Sequence, residues 1–211
     1  KKQSQDLLEQ IMPAKVLSML KEGKSEISFS VPSASVVFVD IVNFSGFSSD
    51  LSPQQIMGTL STLFGAFDVW IQKFPLMTKI KLIGDTYMSA CGLFATDIEP
   101  KIHAKQGIDF SLRVLSILDD TNIKLNVSLE IRIGINSDGP VIAGVLGTEN
   151  RVFDIIGDTI NVASRLEHKC EPGHILMSAK TYELVKEFGY NIIPKGAIFL
   201  KGKGDMMAYS I

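Results

Sequence analysis

Cysteine is almost absent from this chain. Cys91 and Cys170 are the only two in 211 residues, they stand far apart and form no CxxC spacing, so they make a weak disulfide framework, and reduced, partly buried thiols of an intracellular domain are expected. Histidine is scarce too: His103, His168 and His174 share no metal-ligand spacing, which argues against a histidine-held zinc site. No apolar run approaches membrane-spanning length, and no signal-peptide pattern opens the chain. Excess positive charge is missing as well. A formal net charge of -2 argues against a nucleic-acid binder driven by counterion release, so any phosphate binding must come from local lysines. There is no internal repeat and no low-complexity tract. The chain opens on Lys1 rather than Met and reads as a piece excised from a longer protein, so the lack of a membrane segment carries no information on the parent. What is present is hydrophobic side chain, 45% of residues, enough to bury the core of one large domain or two small ones.

Residues 1–26 form a first segment. Leu7, Ile11, Ala14, Leu17 and Leu20 make a helical stripe over Ser4 to Lys21, interrupted at Pro13 and stopped near Gly23. A linker helix from an upstream domain and a helix packed on the core both fit it. Residues 27–211 form the main domain. Ser35 to Val42 is a strand rich in β-branched residues, and Pro53 to Phe74 a helix with Ser52 as N-cap and Pro53 at its first position. Thr78 to Ile83 and Thr86 to Cys91 flank Gly84-Asp85 as a hairpin. Lys101 to Leu118 is an amphipathic helix, Val127 to Ile135 an alternating strand, Val141 to Leu146 a strand and Asp158 to Lys169 a helix. His174 to Ser178 is a short strand, and Ile192 to Leu200 pairs with Ala208 to Ile211. The order is βαββαβ with a C-terminal α/β extension. That is an α+β sandwich with a ferredoxin-like core, a mostly antiparallel sheet and helices on one face.

Two aspartates stand at strand edges, Asp40 after Val36-Val37-Phe38-Val39 and Asp85 in the hairpin turn. A carboxylate there is costly unless it meets a cation or a donor. Alone, Asp40 reads best as a strand end capping a turn; with Asp85 folded back beside it, the pair reads as a divalent-metal site for a nucleotide carrying its phosphates on magnesium. The small residues after Asp40 (Asn43, Ser45, Gly46) suit a turn whose backbone N–H groups hold phosphate oxygens. In Gly157-Asp158-Thr159-Ile160-Asn161-Val162-Ala163-Ser164-Arg165, Asp158 makes a good N-cap, and Asn161 and Arg165 share one helix face. An amide and a guanidinium so placed suit charge stabilisation at a phosphoryl centre, although an exposed polar face is the commoner meaning of such a pair. Lys201-Gly202-Lys203-Gly204 is a basic turn whose lysine can meet terminal phosphates as a point charge.

Together these stretches resemble the class III nucleotide cyclase catalytic domain, from Ser35 to Ile211. The resemblance implies that Asp40 and Asp85, with the Ile41 carbonyl, hold two divalent cations, Mg²⁺ or Mn²⁺. It implies that Phe44 and Ser45 contact the phosphates, Asn161 positions the ribose or substrate, Arg165 stabilises the transition state and Lys201 binds terminal phosphates. The family chooses its base at two positions, Lys and Asp in adenylyl cyclases of the vertebrate-like branch, Glu and Cys in guanylyl cyclases. Here they are Lys81 and Asp154. Lys donates to adenine N1 and Asp accepts from the N6 amino group, whereas guanine would set donors against donors. The implied substrate is therefore ATP and the implied product 3′,5′-cyclic AMP. A guanylyl cyclase is the first alternative, and a catalytically silent regulatory nucleotide-binding module the second, which would be expected to lack a metal Asp or the Arg.

The family's active site lies between two catalytic domains, one supplying the metal aspartates and the other the base-reading, Asn and Arg residues. This chain holds both sets, so a homodimer with composite sites is expected. A cytoplasmic catalytic domain below an upstream regulatory domain is expected too, in a parent open to membrane anchorage. Two departures stand out: Ser45 replaces the common Thr, and the turn Asn136-Ser137-Asp138-Gly139-Pro140 is one residue longer than usual.

Overall fold

The computed structural model describes Leu7 and residues 11–211. The start of the N-terminal stripe, Ser4 included, lies outside the described residues apart from Leu7. Helix α1 covers Ala14–Lys21 and ends where Gly23 takes φ +84°, its N–H donating to the Leu20 carbonyl. Met12, Val16 and Leu17 are buried against the main core, so this helix packs on the domain.

The strands are β1 (Ser28–Val31), β2 (Ala34–Val42), β3 (Met77–Ile83), β4 (Thr86–Cys91), β5 (Glu130–Asp138), β6 (Val141–Leu146), β7 (Val152–Ile156), β8 (Ile175–Ser178), β9 (Ile193–Leu200) and β10 (Gly204–Ser210). The helices after α1 are α2 (Phe44–Ser48), α3 (Pro53–Ile71), α4 (Pro100–Leu125), α5 (Asp158–Lys169) and α6 (Ala179–Val185). A seven-stranded sheet runs β3-β4-β2-β5-β8-β10-β9, with β5–β8 its only parallel pair. The succession β2-α3-β3-β4-α4-β5 with β2 between β4 and β5 is the ferredoxin-like core, and a second sheet, β1-β6-β7, stands beside it.

Helices cover both faces of the large sheet, not one. Val37, Val39, Ile41, Ile131, Ile133 and Ile135 face α3, α4 and α6. Val36 and Phe38, which alternation sends the other way, join Met12, just before α1, Val16 of α1, and Ile160 and Ala163 of α5. Strand β2 is therefore buried on both sides, which is why it carries an unbroken apolar run.

Helix α3 starts as expected, with Ser52 Oγ accepting from Gln55 N–H and Gln55 Oε1 accepting from Ser52 N–H, a reciprocal cap; it ends at Ile71, before the expected Phe74. Helix α4 runs to Leu125, past the expected Leu118, because Thr121 is buried and Asn122 bonds both the N–H and the carbonyl of Leu129. That clasp keeps residues 127–129 out of the sheet. Strand β5 starts at Glu130 and takes in Asn136, Ser137 and Asp138, which were expected in a turn and instead pair with Val36, Ser35 and Ala34. The turn itself is Gly139-Pro140. Strands β1 and β7 and helices α2 and α6 were not expected, and β10 begins at Gly204 rather than Ala208.

One side chain does not fit its surroundings. Among the described residues, Ser89 Oγ is buried in β4 with no hydrogen-bond partner. A buried hydroxyl without a partner costs free energy that a methyl does not. Ser89→Ala is accordingly expected to raise the unfolding free energy by about 1 kcal/mol, read from the urea midpoint, where most buried substitutions lower it.

Candidate active site

Asp40 is the seventh residue of β2, in register with Thr86 of β4 and Arg132 of β5. Its Oδ1 accepts from Thr86 Oγ1 at 3.0 Å and its Oδ2 from Arg132 Nη2 at 3.3 Å. Pairing with β4 stops there, so Ile41 stays in the ladder only on its β5 side. Asp85 sits in the β3–β4 turn, after Gly84 at φ +61°, and folds back on Asp40. Partial burial and the like charge of Asp40 both hold the Asp85 carboxyl above the usual carboxylate range.

The expected phosphate turn is a five-residue helix, α2, entered through Asn43 in the left-handed region at φ 54°. Phe44 is half-buried against the core, which fixes the segment, and Ser45 is exposed.

Lys81 of β3 and Asp154 of β7 meet across the two sheets, Nζ to Oδ2 at 2.7 Å, while Asp154 Oδ1 accepts from the Ile155 N–H at 2.8 Å. They lie in a groove of about 820 Å³ along edge strand β3, walled by Leu82 and Phe153.

Asn161, Arg165 and Lys201 line a second hollow of about 340 Å³ with Ser164 and His168. Asn161 and Arg165 share a face of α5, and Lys201 comes from the β9–β10 turn. Gly202, at φ +78°, lies against the Arg165 guanidinium, so the turn closes over it. Lys203 ties that turn to α5 through an ion pair with Asp158. Asp158 is the first residue inside the helix, not the N-cap; Gly157 holds that position. Asp40 and Asp85 line neither cavity. The structure thus gathers the expected residues into three groups without joining the carboxylates to Asn161 and Arg165 on one chain.

Sequence reasoning missed Arg132 and Glu167. Arg132 reaches from Asp40 to Glu167, donating Nε to Oε1 at 2.5 Å. Glu167 is only 1% exposed. Burial pushes its carboxyl up to about 7, against the pull of Arg132. Arg132 falls on the polar phase of the β5 alternation, and only the Asp40–Arg132 register gives it meaning. Among the described residues no group of three or more His, Cys, Asp or Glu gathers where a metal could sit. Two carboxylates are nonetheless the donor set that Mg²⁺ uses when phosphates and water complete its shell, and their mutual repulsion is what a divalent ion relieves.

Residues 26–211 match the family model for the adenylate and guanylate cyclase catalytic domain. The chain belongs to that family, the class III nucleotide cyclases. It is 33% identical over 211 residues to soluble guanylate cyclase 89Da of Drosophila melanogaster and 34% identical over 210 residues to the germination-specific adenylate cyclase of Dictyostelium discoideum. Each alignment covers 99% of this chain, which spans 30% and 24% of those two proteins. The guanylate cyclase domain of RhGC from Catenaria anguillulae, solved in complex with GTP, superposes with a TM-score of 0.78 at 34% identity, covering 86% of this chain and 97% of that one. Among the described residues no helix is long and apolar enough to cross a membrane.

Proposed function

We propose that this nucleotide cyclase domain is an adenylyl cyclase that converts ATP to 3′,5′-cyclic AMP and pyrophosphate as a homodimer. The observation that carries the reading is the Lys81–Asp154 pair at 2.7 Å. It presents a cation and a carboxylate side by side, the donor and acceptor that adenine N1 and its N6 amino group require. Guanine would leave the lysine facing an N–H.

The ribose 3′-oxygen attacks the α-phosphorus in line, and pyrophosphate departs. Asp40, Asp85 and the Ile41 carbonyl would hold two divalent cations, Mg²⁺ or Mn²⁺, which would lower the 3′-hydroxyl pKa and neutralise the phosphates. Asn161 orients the ribose, and Arg165 stabilises charge gathering at the α-phosphate. Gly202 lets the Lys201 turn approach Arg165, bringing a second cation toward the terminal phosphates. Phe44 anchors α2 and sets the Ser45 backbone beside them.

Two features support the homodimer. One chain carries both sets of residues yet keeps them apart. And the outer face of the β1-β6-β7 sheet, around Asp154, exposes Ile142, Leu146, Val152 and Ile156 as cross-strand pairs, Ile142 with Ile156 and Leu146 with Val152. A contiguous apolar face of this kind fits a second copy. An upstream regulatory domain in the parent protein, with or without a membrane anchor, completes the proposal, and the catalytic domain would be cytoplasmic.

The test measures product from ATP and, separately, GTP, with each cation, across protein concentrations, with Asp40→Ala alongside. Cyclic AMP that rises faster than linearly with protein, and falls by at least about a thousandfold in the variant, is the expected result. Cyclic GMP as main product would overturn the base assignment, and no product from a demonstrated dimer would overturn the activity.

A further inference from the structure

A run of buried polar side chains that no step of the cyclisation uses crosses the middle of the domain. His103 of α4 lies with Nε2 3.0 Å from Ser33 Oγ and Nδ1 2.7 Å from Ser35 Oγ. Ser35 Oγ is 2.7 Å from Ser137 Oγ, which accepts from Thr181 Oγ1 at 3.0 Å. The Thr181 N–H donates to Ser178 Oγ at 3.2 Å, Ser178 Oγ donates to Asn136 Oδ1 at 2.7 Å, and Asn136 Nδ2 donates to the Thr159 carbonyl at 3.2 Å. Ser35, His103, Asn136, Ser137, Ser178 and Thr181 are all at most 3% exposed.

One arrangement of protons satisfies each of these links, while Ser178 Oγ and Thr181 Oγ1, 3.1 Å apart, then share no proton. Thr181 gives its hydroxyl proton to Ser137, Ser137 gives to Ser35, and Ser35 gives to His103 Nδ1, leaving Nε2–H for Ser33. The ring is then neutral, in keeping with burial that pushes its pKa down to about 4. Asn136 and Ser137 are neighbours on β5 and point to opposite faces. The run therefore starts under α4, passes round the sheet through Ser178 and Thr181 at the start of α6, and ends on α5.

Its last link is not needed to satisfy the atom it reaches. The Thr159 carbonyl lies in the first turn of α5, where the N–H four residues on already takes it. The Asn136 amide adds a second bond that fixes where this turn sits, two residues before Asn161. The middle of α5 is held differently, by close backbone contact at Gly134.

We propose that Asn136 is a positioning residue of the cyclase. Its amide anchors the first turn of α5, and the buried run behind it holds that amide in one orientation, so that Asn161 meets the ribose in register. The inference rests on the cyclase reading for its effect on turnover, and on geometry alone for the anchor.

Asn136→Leu removes the amide without burying a charge. In the dimeric domain it is expected to speed amide hydrogen exchange in the first turn of α5 by about tenfold, with β2 and α4 unchanged, because local opening reports the loss of a local tie. It is expected to lower kcat by about tenfold or more, with KM for ATP held within about threefold, since small misplacements of a positioned group act on turnover. In an Asn161→Ala background the same substitution should cost less than about twofold, because two residues that act through one contact are not additive. Should Asn136→Leu not fold, Ser178→Ala, which keeps the amide and frees its orientation, should show the same pattern more weakly. Unchanged exchange at α5, or a full loss that persists without Asn161, would overturn the proposal. A wild-type domain that makes no product would defeat the cyclase reading, while the exchange result still decides the anchor.

Discussion

Lys81→Glu combined with Asp154→Cys is expected to lower kcat/KM for ATP by at least about a thousandfold and to make GTP the better substrate, since sites built to hydrogen-bond one partner reject its mismatch by four or five orders of magnitude. The two side chains come from different sheets, β3 and β7, and touch at 2.7 Å with no other residue between them. Each presents a single polarity toward the base. Exchanging both inverts the pattern, whereas either change alone leaves one matched and one mismatched contact, so the single variants should fall between. The ion pair is partly exposed, with side-chain accessibilities of 44% and 18%, so its loss should cost little stability. Steady-state rates on both nucleotides, beside a thermal melt, separate the effects. Retention of ATP preference in a folded double variant would remove Lys81 and Asp154 from base selection.

Gly134→Ala is expected to be strongly damaging, because the atoms it meets belong to the helix that carries Asn161 and Arg165. A Cβ there would stand 2.3 Å from the Glu167 nitrogen and 2.5 Å from the Ala163 carbonyl oxygen. Both are backbone atoms of α5, so no rotamer change relieves the clash and the whole helix must move. Overpacking typically costs about 1–3 kcal/mol, and a clash with rigid helix backbone stands at the upper end, about 3 kcal/mol. For a domain of this size that corresponds to a fall in Tm of roughly 6–12 °C. The helix that moves carries Asn161 and Arg165, so kcat should drop by about a hundredfold at temperatures where the variant is still folded. Gly65 in α3 is the internal comparison. Nothing lies within 4 Å of a Cβ there, and the site is exposed. Gly65→Ala should leave turnover unchanged and add about 0.5–1 kcal/mol of stability. Equal melting temperatures for the two variants would contradict the packing account.

Legibility followed sequence distance. Helix α5 is readable to the residue because a turn glycine, a polar pair and an apolar stripe all lie within it. The β3–β4 hairpin is readable because its turn lies in the two residues between the strands. Strand β7 is not, since Val152-Phe153-Asp154-Ile155-Ile156 does not alternate and its partner β6 pairs through an unremarkable turn. Its Ile156 and Val152 are exposed apolar residues, which a single-chain reading treats as core. Residues 127–129 carry a strand pattern yet stay outside the sheet because Asn122, seven residues upstream of Leu129, captures the backbone first. The Asp40–Arg132–Glu167 link spans strands and a helix far apart in the chain, and only their register places them together. Lys81 and Asp154 were found through resemblance; no local pattern joins positions 73 residues apart.

The separation of Asp40 and Asp85 from Asn161 and Arg165 has a thermodynamic consequence. In the proposed homodimer, with complementary groups on different copies, a bound nucleotide would bridge the pair, and linkage would make the effect reciprocal. The factor by which association would tighten nucleotide binding is the factor by which the nucleotide would tighten association. Under the proposed function, substrate would then act as a cohesive force between the copies, and a cell rich in ATP would hold the dimer together even where the protein is dilute.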